Sequence, residues 1–236
     1  MLAKIPIKER SETSHGAILL EGDLRIPKNS GGLVVIAHGS GSGRLSSRNQ
    51  SVAEKLNEDG LATLLFDLLT TSEEKVDTQT RRLRFDIRLL SKRLIATLDW
   101  ITKNPDTQNL NVGLFGASTG IAAALVAAAE RHSIVSAIVS RGGRPDLTCR
   151  DILERVKAPT LLLVGGNDKQ VLRLNEEALK YIKAEKKKLI VIPGASHLFE
   201  EPGKLEEVAR LTSGWFRCYF LIKEHSLKQE KQNEAA

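Results

Sequence analysis

Short, almost wholly apolar runs at residues 33–37, 62–66, 112–115, 135–139, 160–164 and 189–192 alternate along the chain with longer stretches of helical periodicity. A strand covered on both faces has no polar side to show, so such runs read as central strands of a parallel sheet. The stretches between them predict crossover helices. Residues 47–58 carry Val52 and Leu56 and stop before Gly60, while 86–102 set Ile87, Leu90, Leu94, Leu98 and Ile101 three or four apart on one face. Residues 120–131 are nearly all Ala, Val, Leu and Ile, which predicts a helix buried on more than one side; 172–184 and 205–222 complete the set.

Ahead of this pattern, residues 4–10 and 17–26 read as two strands of an antiparallel hairpin turning at Ser14-His15-Gly16. The whole predicts an α/β domain: a mainly parallel, doubly wound sheet with an N-terminal antiparallel hairpin and helices on both faces. Residues 71–84 are polar, carry both charge signs and lack apolar periodicity, so they are expected to form a mobile connection. No internal repeat or linker divides the chain. One domain over 1–222 and a polar, fraying tail over 223–236 are expected.

The 236 residues, 41% hydrophobic and 27% charged, have an ordinary globular composition. A formal charge of +6 changes little, because the basic residues are interleaved with 29 acidic ones and nucleic-acid binding needs them clustered on one face. At most the charge favours an anionic substrate. Charges break every apolar stretch near Met1, unlike a secretory signal, and no run approaches the roughly 18 apolar residues of a membrane span. A cytoplasmic protein with no membrane partner is expected. Cys149 and Cys218 define neither a disulfide framework nor metal-ligand spacing.

Chemistry concentrates where apolar runs end. Gly116-Ala117-Ser118-Thr119-Gly120 lies where a buried strand passes into a small-residue helix. A serine in such a turn is held in a strained conformation at a helix N-terminus, where N–H groups favour developing negative charge. Its hydroxyl needs a base and a carboxylate behind the base. Asp168 follows the run 160–164 and His197 follows 189–192, so all three stand past strand C-termini in the order Ser118, Asp168, His197. Asp168 also suits a turn or helix cap, and Asp146 is the fallback acid. His15, His132 and His225 have no comparable context.

An acyl-transfer site also needs donors for the oxyanion. The loop His38-Gly39-Ser40-Gly41-Ser42-Gly43 follows the first parallel strand and supplies them. We assign the backbone N–H groups of Ser40 and Thr119. A phosphate-binding reading of this Gly-rich loop is the alternative, but it lacks a P-loop ending and a dinucleotide fingerprint.

The His38-Gly39 loop, the 116–120 elbow, Gly166-Asn167-Asp168 and Gly194-Ala195-Ser196-His197 together resemble the α/β-hydrolase superfamily over residues 34–220, and the compact form without a large lid looks like the dienelactone hydrolase group. The resemblance implies the α/β-hydrolase fold, a sheet of about eight strands, no cofactor and no metal. Dienelactone hydrolases proper use cysteine as nucleophile, whereas position 118 is serine, as in the esterase-like relatives. The expected activity is hydrolysis of small carboxylic esters or lactones through an acyl-enzyme. A small peptidase or thioesterase, and a hydrolase-fold binding protein without catalysis, remain alternatives. Gly39, Arg44, Arg48, Arg141 and Arg144 flank the expected cleft and are candidate substrate contacts, the arginines as clamps for a carboxylate or phosphate. Oligomeric state is not legible.

Overall fold

The computed structural model describes residues 1–8 and 17–234, with side chains over 1–6 and 18–221. Strands β1 (Leu2–Lys8) and β2 (Ala17–Arg25) pair antiparallel from Leu2↔Asp23 to Lys8↔Ala17. The expected hairpin is present, two residues earlier in its first strand than the sequence suggested; the turn at 14–16 lies outside the described residues. β2 then pairs antiparallel with β4 (Ala62–Phe66), which joins the hairpin to a run of parallel strands. These are β3 (Gly32–Ala37), β5 (Asn111–Ala117), β6 (Val135–Arg141), β7 (Thr160–Gly165) and β8 (Lys187–Ile192), and the sheet order is β1-β2-β4-β3-β5-β6-β7-β8.

Every residue of β3, β4 and β7 is buried. The period-2 pleat sends Leu33, Val35 and Ala37 into one apolar core and Val34 and Ile36 into the other, so the continuous apolar runs serve both faces at once. Helices α3 (Ile87–Ile101), α4 (Gly120–Glu130), α5 (Arg150–Arg155) and α6 (Lys169–Tyr181) cover the first core. Helices α1 (Ser47–Glu58) and α7 (Lys204–Glu234) cover the second, where Phe216 and Phe220 of α7 stack and fill the space above Gly113 and Gly32. In α4, nine residues are buried, all of them small or aliphatic, which lets the helix lie close to the sheet and to α3.

Three expectations change. Residues 71–84 are not an unstructured connection: Thr71–Thr80 form helix α2, followed by a single 3-10 turn at Leu83–Phe85. Thr70 and Glu73 make a reciprocal capping box at its start, and Arg93 of α3 binds Glu73 from below. The short α5 had no periodicity long enough to read. α7 runs on through 223–234 instead of ending at 222, so the segment expected to fray is helical backbone as far as Glu234.

Candidate active site

Parallel strands end at the same rim, and four of them deliver the candidate residues there. β5 passes into α4 through Ser118, whose φ of 48° is a conformation a non-glycine residue rarely adopts. The turn is this sharp because its flanks are glycine. A Cβ at 116 would lie 2.4 Å from the Ile121 Cα, and one at 120 would lie 2.2 Å from the Ala37 carbonyl oxygen. The strained backbone is pinned on both sides: the Ser118 N–H donates to the Arg141 carbonyl (3.1 Å), and the Ser118 carbonyl accepts from the Arg144 N–H (3.0 Å).

The Ser118 hydroxyl lies 3.3 Å from Nε2 of His197, and Nδ1 of His197 lies 2.6 Å from Oδ2 of Asp168. A carboxylate accepts only, so Nδ1 carries the hydrogen and Nε2 presents its lone pair to the serine. That is the tautomer a general base needs. Unliganded sites often hold this serine contact long and tighten it on binding substrate. Asp168 also works through its other oxygen. Oδ1 accepts from the Val171 N–H at 3.3 Å, capping α6, which therefore starts three residues earlier than the sequence suggested. One oxygen of Asp168 thus caps α6 and the other bonds His197. The fallback acid Asp146 is instead held bidentate by Arg144 at 2.8 and 2.7 Å.

The loop carrying His197 is set by residues that had no sequence signal. The Ser196 N–H donates to both carboxylate oxygens of Glu201 (3.0 and 3.1 Å), and this bond holds the Glu201 carboxyl below the usual glutamate range. Phe199 sits at φ 57° with its ring buried, spending backbone strain on an anchor two residues from His197. Asn167 donates from its side chain to the Gly194 carbonyl at 3.0 Å, tying the Asp168 loop to the His197 loop.

On the other side of Ser118, the buried His38 accepts from the Leu68 N–H through Nε2 (3.0 Å) and so donates through Nδ1 to the Gly39 carbonyl (2.9 Å). Burial pushes its pKa down against the smaller opposing pull of Gly39, Asp67 and Glu74, which keeps the ring neutral. His38 thereby staples the loop after β3 to the loop after β4. The two residues assigned to the oxyanion are adjacent, but not as expected: the Ser40 N–H donates to the Thr119 side-chain oxygen at 2.8 Å. The Thr119 N–H has no acceptor among the described residues.

A cavity of about 260 Å³ adjoins this loop beneath α2. Gly39, Ser40 and Thr119 form one wall, Leu68 and Leu90 another, and the rim carries Asp67, Glu74 and Asp77 against the single guanidinium of Arg84.

Three of the four candidate arginines do not stand free for an anionic group. Arg44 binds Glu21, Asp67 and, more distantly, Asp23; Arg48 binds Glu200 at 2.8 Å; Arg144 is taken by Asp146. Arg141 differs. Its guanidinium is buried on the α1 side, donates to Asn49 at 3.2 Å and lies over the Phe115 ring, and burial together with Arg48 pushes its pKa down to about 10. It points away from the cavity's lining, and no carboxylate pairs with it among the described residues. His132 is exposed; His15 and the side chain of His225 lie outside the described residues. Among the described residues no three His, Cys, Asp or Glu side chains converge as metal ligands, and no helix is long and apolar enough to cross a membrane.

A family described as an alpha/beta hydrolase domain matches residues 30–212, which span all the elements from β3 to the first turns of α7. The chain belongs to this family. A crystal structure of a dienelactone hydrolase from Anabaena variabilis is 57% identical, superposes with a TM-score of 0.84, and is matched over 91% of this hydrolase chain and 99% of its own. Est1E of Butyrivibrio proteoclasticus shares the fold at a TM-score of 0.72 with 19% identity, over 94% and 99% of the two chains. A Mycobacterium tuberculosis protein that carries the name of a phosphoribosyl transferase is 54% identical over 208 residues, 88% of this chain and 46% of its own. The chain thus spans about half the length of that relative.

Proposed function

We propose that the chain hydrolyses small carboxylic esters or lactones through an acyl-enzyme on Ser118. The observation that carries this reading is the hydrogen-bonded series Ser118, His197, Asp168, at 3.3 and 2.6 Å, mounted on a serine with φ of 48°. Ser118 attacks the substrate carbonyl carbon while Nε2 of His197 takes the hydroxyl proton. The carboxylate of Asp168 stabilises the imidazolium so formed, and general-base help of this kind is worth on the order of 10² to 10⁴ in rate. As the tetrahedral adduct collapses, His197 returns the proton to the departing alkoxide; in a lactone that alcohol stays attached to the acyl group. Water then repeats the sequence on the acyl-enzyme and releases the acid.

The similarity to a solved dienelactone hydrolase supports lactones within the substrate class, and serine at 118 supports ordinary esters beside them. The carboxylates lining the cavity favour an uncharged or cationic group there, which reverses the preference read from net charge. A cytoplasmic setting remains part of the proposal. Turnover of p-nitrophenyl acetate and butyrate tests it: Ser118→Ala should abolish hydrolysis while leaving the thermal melt unchanged, and undiminished turnover by that variant would exclude the assignment.

A further inference from the structure

The backbone N–H of Ser40 has one hydrogen, and it is aimed at the Thr119 side-chain oxygen at 2.8 Å. The neighbouring Ser118 N–H is likewise spent, on the Arg141 carbonyl. Of the donors at the elbow, the Thr119 N–H has no acceptor among the described residues, and neither has the Thr119 hydroxyl, which accepts from Ser40 and still holds its own proton. Thr119 is 3% exposed and lines the cavity beside Gly39 and Ser40, one residue from Ser118, so the little of it that is accessible opens onto that cavity. A hydroxyl that already accepts a hydrogen bond is polarised into a stronger donor.

We infer that the Thr119 hydroxyl is itself an oxyanion donor. The hole then consists of two groups of one residue, the Thr119 N–H and the Thr119 O–H, with Ser40 acting through the hydroxyl instead of touching the oxyanion. No bond is made or broken in this step; the hydroxyl keeps its proton and shares it with the developing alkoxide. The inference deepens the hydrolase reading and rests on it. The opposite arrangement is a plug, in which the hydroxyl blocks the Ser40 N–H until substrate displaces it. The two differ in the sign of one substitution.

Thr119→Val removes the O–H at nearly constant shape, Thr119→Ala removes it and opens the space, and Thr119→Ser keeps it. The relay predicts that kcat for p-nitrophenyl acetate falls by about 10²-fold in the Val and Ala variants, the usual size of a lost oxyanion donor, with KM little changed and with Ser restoring most of the rate. Affinity for a trifluoromethyl ketone, which presents the tetrahedral oxyanion, should fall by the same factor as kcat/KM. A residue that merely positioned the loop would not produce this parallel or the rescue. Wild-type or higher kcat in Thr119→Ala, with Ser118 still labelled by a fluorophosphonate, would overturn the relay and leave the hydrolase reading standing. A wild-type protein whose Ser118 takes no label would overturn both.

Discussion

The guanidinium of Arg93, wholly buried in α3, holds both carboxylate oxygens of Glu73 in α2, at 3.0 and 2.7 Å. Among α2 residues only Asp77 is buried, so the helix has almost no apolar grip on the domain. Polar bonds dock it instead: Glu73 to Arg93 at one end, and Asp77 to the Arg84 guanidinium and the N–H groups of Leu83 and Arg84 at the other. The same helix roofs the cavity next to Ser40.

Glu73→Ala should therefore do two things. Removing the Glu73 carboxylate takes two charged hydrogen bonds from the Arg93 guanidinium and should lower stability by about 2 kcal/mol, within the range for hydrogen bonds to charged groups. The roof should also loosen. Urea unfolding reads the first effect, and faster proteolytic cleavage within 71–85 reads the second; a stability change under about 1 kcal/mol would mean that the pair behaves as a surface bridge.

The neutral His38 makes the loop after β3 sensitive to acid. Its folded pKa is depressed, so the unfolded chain takes up the proton first as pH falls. The stability His38 contributes is full above the unfolded value of about 6.5 and is lost as pH drops from there toward the lower folded value. Asp67 and Glu74 face the ring and oppose the shift without reversing it. Between pH 7 and 5 the melting temperature of the wild type should fall more than that of His38→Gln, which has no titrating ring; parallel curves would contradict the assignment.

Asp168 divides its oxygens between His197 and a helix end, and two substitutions separate the proposed catalytic role from the cap. Asn keeps an oxygen that can accept from the Val171 N–H but offers His197 no carboxylate. Asp168→Asn should cost activity on the order of 10⁴-fold with the melt nearly intact. Asp168→Ala should lose comparable activity and, in addition, about 1 kcal/mol of stability from the missing cap. Equal melts for the two would show that the cap contributes nothing.

Much of this site was readable in the chain because it depends on short-range features. A buried strand, a glycine two residues before and after a serine, and an acid and a histidine just past later apolar runs are all local patterns, and parallel topology carries them to one rim. α2 was not readable because helical periodicity reports apolar burial, and this helix is held by charges. Its one local sign was Thr70 three residues before Glu73. The Thr119 bond to Ser40 spans 79 residues and leaves no trace in either segment. The arginines differ for a related reason: Arg44 and Arg48 have carboxylate partners from β2 and the His197 loop, far away in the chain, whereas Arg144 is held by Asp146 only two residues on.

Covalent labelling tests the central claim most directly. Incubated with a fluorophosphonate, the wild-type protein should gain a single phosphonyl mass, mapped to the peptide containing Ser118, while His197→Ala, equally folded, labels far more slowly. A folded wild-type protein that gains no mass, or one that gains it at a serine other than Ser118, would contradict the account.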